Sequence, residues 1–222
     1  IKYAELAIRK IKKFYNGKIE LKKIVTKGDR ILDRRTSDIG GKGEFVKNIE
    51  KELISKKIDI AVHSLKDIPY EQTRGLIIKT FLKRNSPNEV LISKNKIRFE
   101  KLKKNSVIGT SSFRREFQLK RARPDLKFKL IRGNIDSRIK KIYGNKYDAI
   151  ILAKAGLKFL KMTRFITQEF DCNKIIPSAG QGIISLQSRK NDNKINKLLE
   201  KVNDQNTKIR AKTERQVLKI LK

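Results

Sequence analysis

The segment Thr110-Ser111-Ser112 is followed closely by Arg114-Arg115, and this combination suits the binding of an anion. Hydroxyl side chains can cap the start of a helix, where unpaired backbone N–H groups and the helix dipole favour a negative charge. Two adjacent arginines add guanidinium groups that bind carboxylates or phosphates. The segment therefore predicts a carboxylate or phosphate site, although an ordinary helix cap with solvated arginines is an open alternative.

A second basic segment is Arg132-Gly133-Asn134, which precedes a predicted helix that carries Arg138. The glycine would allow a ligand to approach the backbone closely. The same two interpretations, an anion site or a simple cap, apply here.

A third segment is the glycine-rich run 40–43, which contains Lys42 and precedes another predicted helix. It lacks the GxxxxGK[ST] spacing of a Walker P-loop, so it does not predict a nucleotide site of that kind. All three segments lie at predicted strand-to-helix turns, and such turns share one rim of a sheet. Together they favour anion binding over three unrelated caps.

Asp67 is the acidic residue in this cationic setting, with Lys66 before it and Pro69 stiffening the turn after it. A carboxylate among cations stays ionised, so it suits the stabilisation of positive charge on a substrate better than general acid catalysis. Capping of the next turn is the alternative role. His63 lies in the apolar run just upstream and is interpreted as a hydrogen-bonded structural histidine.

These segments are positioned by short β-branched runs that alternate with amphipathic stretches, a pattern that predicts an α/β fold with mainly parallel sheets. Strands are predicted at 19–26, 59–64, 106–109, 126–131, 148–153 and 183–186. Helices are predicted at 43–57, 112–121, 135–142, 191–202 and 207–221.

The pattern is interrupted twice, by the polar stretch 84–88 around Pro87 and by the run 176–182. Two crossings of the chain predict a two-lobed protein with a cleft. We expect one domain over 1–84 plus 183–202 and a second over 88–176.

The composition excludes several classes of site. With one cysteine, Cys172, and one histidine, the chain can form neither an internal disulfide nor a Cys/His metal centre, and no metal site is expected. No apolar run is long enough to span a membrane, and no signal-peptide pattern is present. We expect a soluble cytoplasmic protein without a membrane partner.

The formal net charge of +33 is typical of nucleic-acid-binding proteins. The lysines, however, are spread along the whole chain, and no zinc finger, RNP-like strand or bZIP pattern accompanies them. Nucleic-acid binding therefore stays a minor alternative, and a solvated lysine-rich surface is the simpler interpretation.

Seven segments in a fixed order closely resemble the porphobilinogen deaminase (hydroxymethylbilane synthase) family. They are VTKGDRILD (25–33), IGGKGEFVKNIE (39–50), DIAVHSLKDIP (59–69), VIGTSSFRREFQL (107–119), RPDLKFKLIRGNIDSRI (123–139), YDAIILAKAGLKFL (147–160) and PSAGQG (177–182). The resemblance implies two periplasmic-binding-protein-like lobes joined by two hinge segments. It also implies a third small α/β domain, of which 205–222 would be the start and the rest would be missing here.

The resemblance also implies a transferase reaction in tetrapyrrole (haem) biosynthesis. Four porphobilinogens are joined head to tail, each losing ammonia, on a covalent dipyrromethane cofactor. Asp67 would stabilise the cation formed as ammonia leaves. The basic residues that would bind the acetate and propionate groups of porphobilinogen and linear oligopyrroles are Lys42, Lys66, Arg114, Arg115, Arg132 and Arg138. The remaining expected site residues are Ser64, Thr110, Ser111, Ser112, Gly133, Asn134 and Gln181.

Some positions depart from the family pattern. Phe159 stands where a basic substrate contact is usual and Ser185 where glycine is usual, and a glutamate is usual near Gln187. Cys172 does not match the cysteine that carries the cofactor, which is expected beyond Lys222, so this chain alone is expected to be inactive. We also expect it to be a monomer. A non-catalytic remnant that binds carboxylated pyrroles is the principal alternative.

Overall fold

The computed structural model describes residues 2–26, 34–35, 43 and 46–220. The chain divides into two compact units. The first unit comprises Ile1–Arg30, Gly40–Asn85 and Ala179–Lys222, and the second comprises Ile31–Ile39 and Ser86–Ser178. The chain therefore enters the long segment of the second unit after Asn85 and leaves it after Ser178. The finer domain boundaries given above stay predictions.

Helices and strands alternate over much of the described chain. The helices are α1 (Lys2–Ile11), α2 (Lys47–Ile54), α3 (Phe113–Ala122), α4 (Ile135–Tyr143), α5 (Lys154–Phe159), α6 (Asn193–Lys201) and α7 (Gln205–Ile220). The strands are β1 (Ala61–Ser64), β2 (Leu76–Phe81), β3 (Glu89–Ser93), β4 (Val107–Gly109), β5 (Lys127–Lys129), β6 (Ala149–Ala153), β7 (Gln168–Glu169) and β8 (Ile184–Arg189).

The sheet of the first unit has the strand order β1–β8–β2, with antiparallel pairing on both sides of β8. Leu65, Ile68, Ile183 and Ala211 belong to one buried cluster of this unit. Ala211 lies in α7, so α7 packs into the first unit. The family resemblance assigns this helix to the start of a third domain, and that domain stays a prediction.

The sheet of the second unit has the order β5–β4–β6–β3–β7. Alternate residues of β3 pack on opposite faces, since Leu91 belongs to one buried cluster and Val90 and Ile92 belong to another. Residues Ile150 and Ile151 of β6 divide between the two clusters in the same way. Burial on both faces explains why these strands have continuous apolar sequences instead of alternating ones.

The predicted α/β class is confirmed, and the strand pairings refine it. Among the described strands, β4 pairs parallel with β5 and with β6. β3 and β8, which follow the two passages of the chain between units, pair antiparallel with their neighbours. Both parallel pairs lie in the second unit, where one helix joins β4 to β5 and another joins β5 to β6.

The strand predicted over 19–26 is wrong, because these residues form neither a strand nor a helix. Leu21 and Val25 are 43% and 45% exposed. Their spacing resembles that of a strand, but within the described part of the chain no strand pairs with the segment. The other predicted elements are found with ends shifted by a few residues.

Candidate functional site

Asp67 is the last residue of a single 3-10 turn, Leu65–Asp67, which follows β1 directly. Leu65 and Ile68 are buried on either side of the turn, and the backbone N–H of Leu65 donates to the carbonyl of Ile183 at 3.0 Å. Asp67 itself is exposed and Lys66 is half-buried. The buried flanking residues therefore fix the backbone of a turn whose charged side chains face outward.

Lys66 is linked to the segment 177–182. Its Nζ donates to Oε1 of Gln181 at 3.3 Å, and Gln181 is buried. The backbone of Gln181 is held by Arg84, whose Nε donates to the Gln181 carbonyl at 3.0 Å. The structure thus brings together Lys66, Asp67 and Gln181, together with Ser64 at the end of β1, in the first unit.

His63 is buried within β1, and its Nε2 lies 2.9 Å from Oε1 of Gln187. The amide Nε2 of Gln187 donates to Oε1 of Glu50 at 2.8 Å, so the amide oxygen is left to accept from the imidazole. Burial lowers the pKa of His63, while the bond to Gln187 and the charge of Glu50 oppose that shift. The interpretation of His63 as a structural, hydrogen-bonded histidine is confirmed.

The start of α3 is capped as predicted. The Ser112 hydroxyl accepts from the backbone N–H of Arg115 at 3.4 Å, and the hydroxyl of the buried Thr110 accepts from the N–H of Ser112 at 3.2 Å. Ser111 lies half-buried between them. These hydroxyls leave Arg114 and Arg115 in the first turn of the helix.

Both arginines contact a carboxylate that the sequence analysis did not identify. Glu89, the first residue of β3, has 0% exposure and forms ion pairs with Arg114 through one oxygen and with Arg115 through the other, the latter at 2.8 Å. Burial alone would raise the pKa of Glu89, but the two guanidinium groups hold that pKa below its usual range. A single acidic residue at the start of an otherwise apolar strand was the only signal in the sequence.

Arg114 and Arg115 also donate to backbone carbonyls. Arg115 Nη1 donates to Ile151 at 3.2 Å, and Arg114 donates to the carbonyl of Ile176. Burial lowers the pKa of Arg114, and the charge of Glu89 opposes this shift. Among the described residues, no acceptor lies within hydrogen-bond distance of the buried Nε of Arg115.

Arg132 and Arg138 are fixed around the start of α4. Gly133 has a φ of +107°, and its carbonyl accepts from Nε of Arg138 at 2.7 Å. Arg132 is buried and donates to the carbonyl of Arg34 at 3.3 Å. The side chain of Asn134, the residue before the helix, makes no capping hydrogen bond. The left-handed backbone at Gly133 therefore turns the chain into α4 without a side-chain cap.

The two basic segments of the second unit lie at the same edge of its sheet. β4 and β5 are parallel neighbours, with Gly109 opposite Lys129, and the N–H of Thr110 donates to the Lys129 carbonyl at 3.0 Å. α3 begins just beyond β4, and Arg132 lies just beyond β5. The predicted shared rim is therefore found for these two segments, whereas Lys42 of the third segment lies outside the described residues.

Arg35 is a further basic residue at the start of α3 that the sequence analysis missed. Its guanidinium carbon lies 4.0 Å from the ring centroid of Phe113, and its Nη2 lies 2.6 Å from Glu116. Phe159 is half-buried at the end of α5, and Cys172 is half-buried in the same unit.

The described residues contain neither a metal-binding cluster nor a membrane-spanning helix. No group of three or more histidine, cysteine, aspartate or glutamate side chains could hold a metal ion within that part of the chain. In the same residues, every helix is too short or too polar to cross a membrane.

Comparison of the fold with solved structures gives weak but consistent similarity. The periplasmic VFT2 domain of BvgS from Bordetella pertussis aligns with a TM-score of 0.53 at 13% identity, covering 90% of this chain and 76% of that domain. A probable amino-acid ABC transporter extracellular-binding protein from Bacillus subtilis gives 0.50 at 15% identity, covering 90% of this chain and 79% of that protein. These similarities concern the fold alone, and they confirm the periplasmic-binding-protein-like class.

Comparison of the sequence is more specific. A family model described as porphobilinogen deaminase, dipyromethane cofactor binding domain, matches residues 1–197. The porphobilinogen deaminase of Bacillus subtilis (strain 168) is 46% identical over 200 residues, and the match covers 90% of this chain and 64% of that protein. That of Exiguobacterium sp. (strain ATCC BAA-1283 / AT1b) is 44% identical over 206 residues, covering 92% of this chain and 68% of that protein. The chain thus spans about two thirds of the length of these relatives, and it belongs to the porphobilinogen deaminase family.

Proposed function

We propose that this chain forms the substrate- and cofactor-binding part of a hydroxymethylbilane synthase. Such a transferase joins four porphobilinogen molecules head to tail, with release of ammonia, in tetrapyrrole biosynthesis. The observation that carries the proposal is the pair of arginine-bearing helix starts at one edge of the second unit's sheet. Family membership supplies the identity of the ligand that such an arrangement would bind.

Porphobilinogen carries an acetate and a propionate group, so it requires cationic partners. Guanidinium groups bind carboxylates through two parallel hydrogen bonds, and helix N-termini favour the same charge. Arg114 and Arg115 at α3 and Arg132 and Arg138 at α4 are assigned this role. Arg132 and Arg115 are buried, and limited hydration strengthens their attraction for an anion.

The same donors fit a dipyrromethane, whose side chains are also acetates and propionates. The buried Nε of Arg115 has no hydrogen-bond acceptor among the described residues, and an unsatisfied guanidinium donor of this kind fits a site built for a carboxylate. When bound, the dipyrromethane supplies the primer for growth of the pyrrole chain. The arginines of this chain would orient it through its carboxylates.

Asp67 is proposed as the catalytic carboxylate. It is exposed at the end of β1, on a turn fixed by buried neighbours, so its negative charge is available to a bound pyrrole. Loss of ammonia leaves positive charge on the pyrrole, and a fixed carboxylate stabilises such charge. Lys66, bonded to Gln181 at 3.3 Å, would bind a carboxylate beside it. Ser64 and Lys42 are included from the family resemblance.

Calorimetric titration of the chain with porphobilinogen tests the proposal. We expect binding that weakens by about tenfold to a hundredfold when Arg132 is changed to leucine, because a charge-assisted hydrogen bond contributes about 1.5–3 kcal/mol. Arg98→Leu is the matched control, since Arg98 is an exposed arginine of the same unit whose carboxylate partner is 3.8 Å away. Absence of binding to the unsubstituted chain, or equal effects of the two variants, would contradict the proposal.

The proposal includes a monomeric chain that acts in the cytoplasm without nucleic acid. The scattered lysines support the last point, because an electrostatic surface for nucleic acid is concentrated on one face or segment. Filter binding of duplex DNA at two salt concentrations tests the absence of nucleic-acid binding, and sedimentation of the chain tests the monomeric state. Specific DNA binding that persists at high salt would favour the alternative function.

A further inference from the structure

Glu89 carries a buried negative charge at the start of β3. Its residue exposure is 0%, and a buried carboxylate is costly unless it is fully paired. Two consecutive arginines of α3 provide that pairing, one on each carboxylate oxygen. A buried carboxylate shared between two side chains of the candidate site requires an explanation beyond a surface salt bridge.

The backbone of Glu89 is held from two sides. Glu89 is paired with Ala153 of β6, and its carbonyl accepts from the N–H of Phe170 at 2.9 Å. β3 lies inside the sheet, between β6 and β7. The backbone that carries the carboxylate is therefore held on both sides, by β6 and by the residue that follows β7.

The contacts of Glu89 determine the orientation of both guanidinium groups. Successive residues of a helix point about 100° apart, so Arg114 and Arg115 would diverge without a shared partner. One oxygen of Glu89 contacts Nη2 of Arg114 and the other contacts Nη2 of Arg115, so both guanidinium groups are directed at the same carboxylate. The remaining contacts, to the carbonyls of Ile151 and Ile176, fix each side chain at a second atom.

Glu89 also reduces the net charge of the cluster, from two positive charges to one. On charge alone, removal of Glu89 should strengthen binding of an anion. On geometry alone, removal should weaken it, because two freed guanidinium groups repel each other and adopt several orientations. The two effects have opposite signs, so the direction of the change distinguishes them.

We propose that Glu89 is a positioning residue, which holds Arg114 and Arg115 in the arrangement that binds a carboxylate of the pyrrole substrate. The proposal rests on the function proposed above. Glu89 has no exposed surface and acts through the arginines, so it does not contact the substrate.

The test is calorimetric titration of the 222-residue chain with porphobilinogen. Glu89→Gln keeps the size of the side chain and removes its charge. We expect about tenfold weaker binding, because loss of the carboxylate charge weakens the charge-assisted hydrogen bond to Arg114 and the ion pair with Arg115. In a chain that already carries Arg114→Gln and Arg115→Gln, the same change should have little further effect, which a general structural role would not predict.

Two variants complete the design. Asp125→Asn is the control, because it removes a carboxylate that pairs with Arg123 at 2.6 Å in the same unit but lies away from the two arginines of the site. Glu89→Asp keeps the charge but is one methylene shorter, so it cannot reach both arginines. We expect about threefold weaker binding for it, and it carries the test if circular dichroism shows that Glu89→Gln does not fold.

Unchanged or tighter binding by Glu89→Gln, or by Glu89→Asp when the first variant is unfolded, would overturn the positioning role. An equal loss in the background without the two arginines would also overturn it. If the unsubstituted chain does not bind porphobilinogen, the proposed function fails first, and the positioning role fails with it.

Discussion

Replacement of Gly180 with alanine is expected to destabilise the first unit by about 2–5 kcal/mol. Gly180 has a φ of +76°, a conformation in which a side chain costs about 1–2 kcal/mol. A β-carbon there would also lie 2.7 Å from Cγ of Leu65, and overpacking of a dense core costs about 1–3 kcal/mol. Because Leu65 begins the turn that carries Asp67, the clash should also displace the candidate catalytic carboxylate.

Gly75 is a matched control for the backbone effect. It belongs to the same unit and has a φ of +84°, but a β-carbon there would meet no atom within 4 Å. Gly75→Ala should therefore show only the cost of the left-handed backbone. The change in unfolded-chain entropy is the same for both substitutions and cancels in their difference.

Urea unfolding measures the two effects. The chain has no tryptophan, so circular dichroism is the suitable signal. Gly180→Ala should lose about 1–3 kcal/mol more than Gly75→Ala, and Leu65→Ala in the same chain as Gly180→Ala should remove most of that excess. Equal losses for the two glycine variants would refute the argument that Gly180 is required by its close approach to Leu65.

Three other predictions concern single side chains. Asp67→Asn should change the free energy of unfolding by no more than about 0.5 kcal/mol, since Asp67 is exposed. In a chain extended to include the cofactor cysteine, the rate of ammonia release from porphobilinogen should nevertheless fall at least about tenfold, and a smaller loss would argue against the catalytic role of Asp67. Burial lowers the pKa of His63, so the unfolded chain binds more protons at this site than the folded protein. The free energy of unfolding should therefore fall as pH decreases below about 6.5. Urea unfolding at about pH 7.5 and about pH 5.5 measures this dependence, and its persistence in His63→Gln would assign it to another group. Ser112→Ala should lower the free energy of unfolding by about 1 kcal/mol through loss of the α3 cap. Ser111→Ala is the control, and an equal loss there would contradict the capping role.

Local features of the structure could be predicted from sequence. The cap of α3 was predictable because a hydroxyl before an amphipathic run has one strongly favoured use. β6 was predictable because its continuous apolar residues need burial on both faces of a sheet. The position of Asp67 followed from the same reasoning, since a polar pair after a buried strand must lie at the end of that strand.

Features that depend on distant residues could not be predicted in this way. Glu89 and Arg114 are separated by 25 positions, and no local pattern connects them. The local sequence around Glu89 shows only a single carboxylate beside a polar stretch, which does not indicate an arginine partner. The failure at 19–26 has a related cause, because alternation of apolar residues predicts a strand only when another strand is present to pair with it.

The central position of β8 in the first unit has a consequence for the order of folding. β8 separates β1 from β2 in their sheet and places Ser185 opposite His63. During synthesis, β1 and β2 leave the ribosome long before their shared partner β8. The segment 86–178 of the second unit has also emerged in full before β8 does, so the second unit does not have to wait for β8. Contacts of such long sequence separation form slowly, and the unpaired strands are exposed to aggregation until they form. We therefore expect nascent chains that end before β8 to protect the second unit from proteolysis while the first unit is still cleaved.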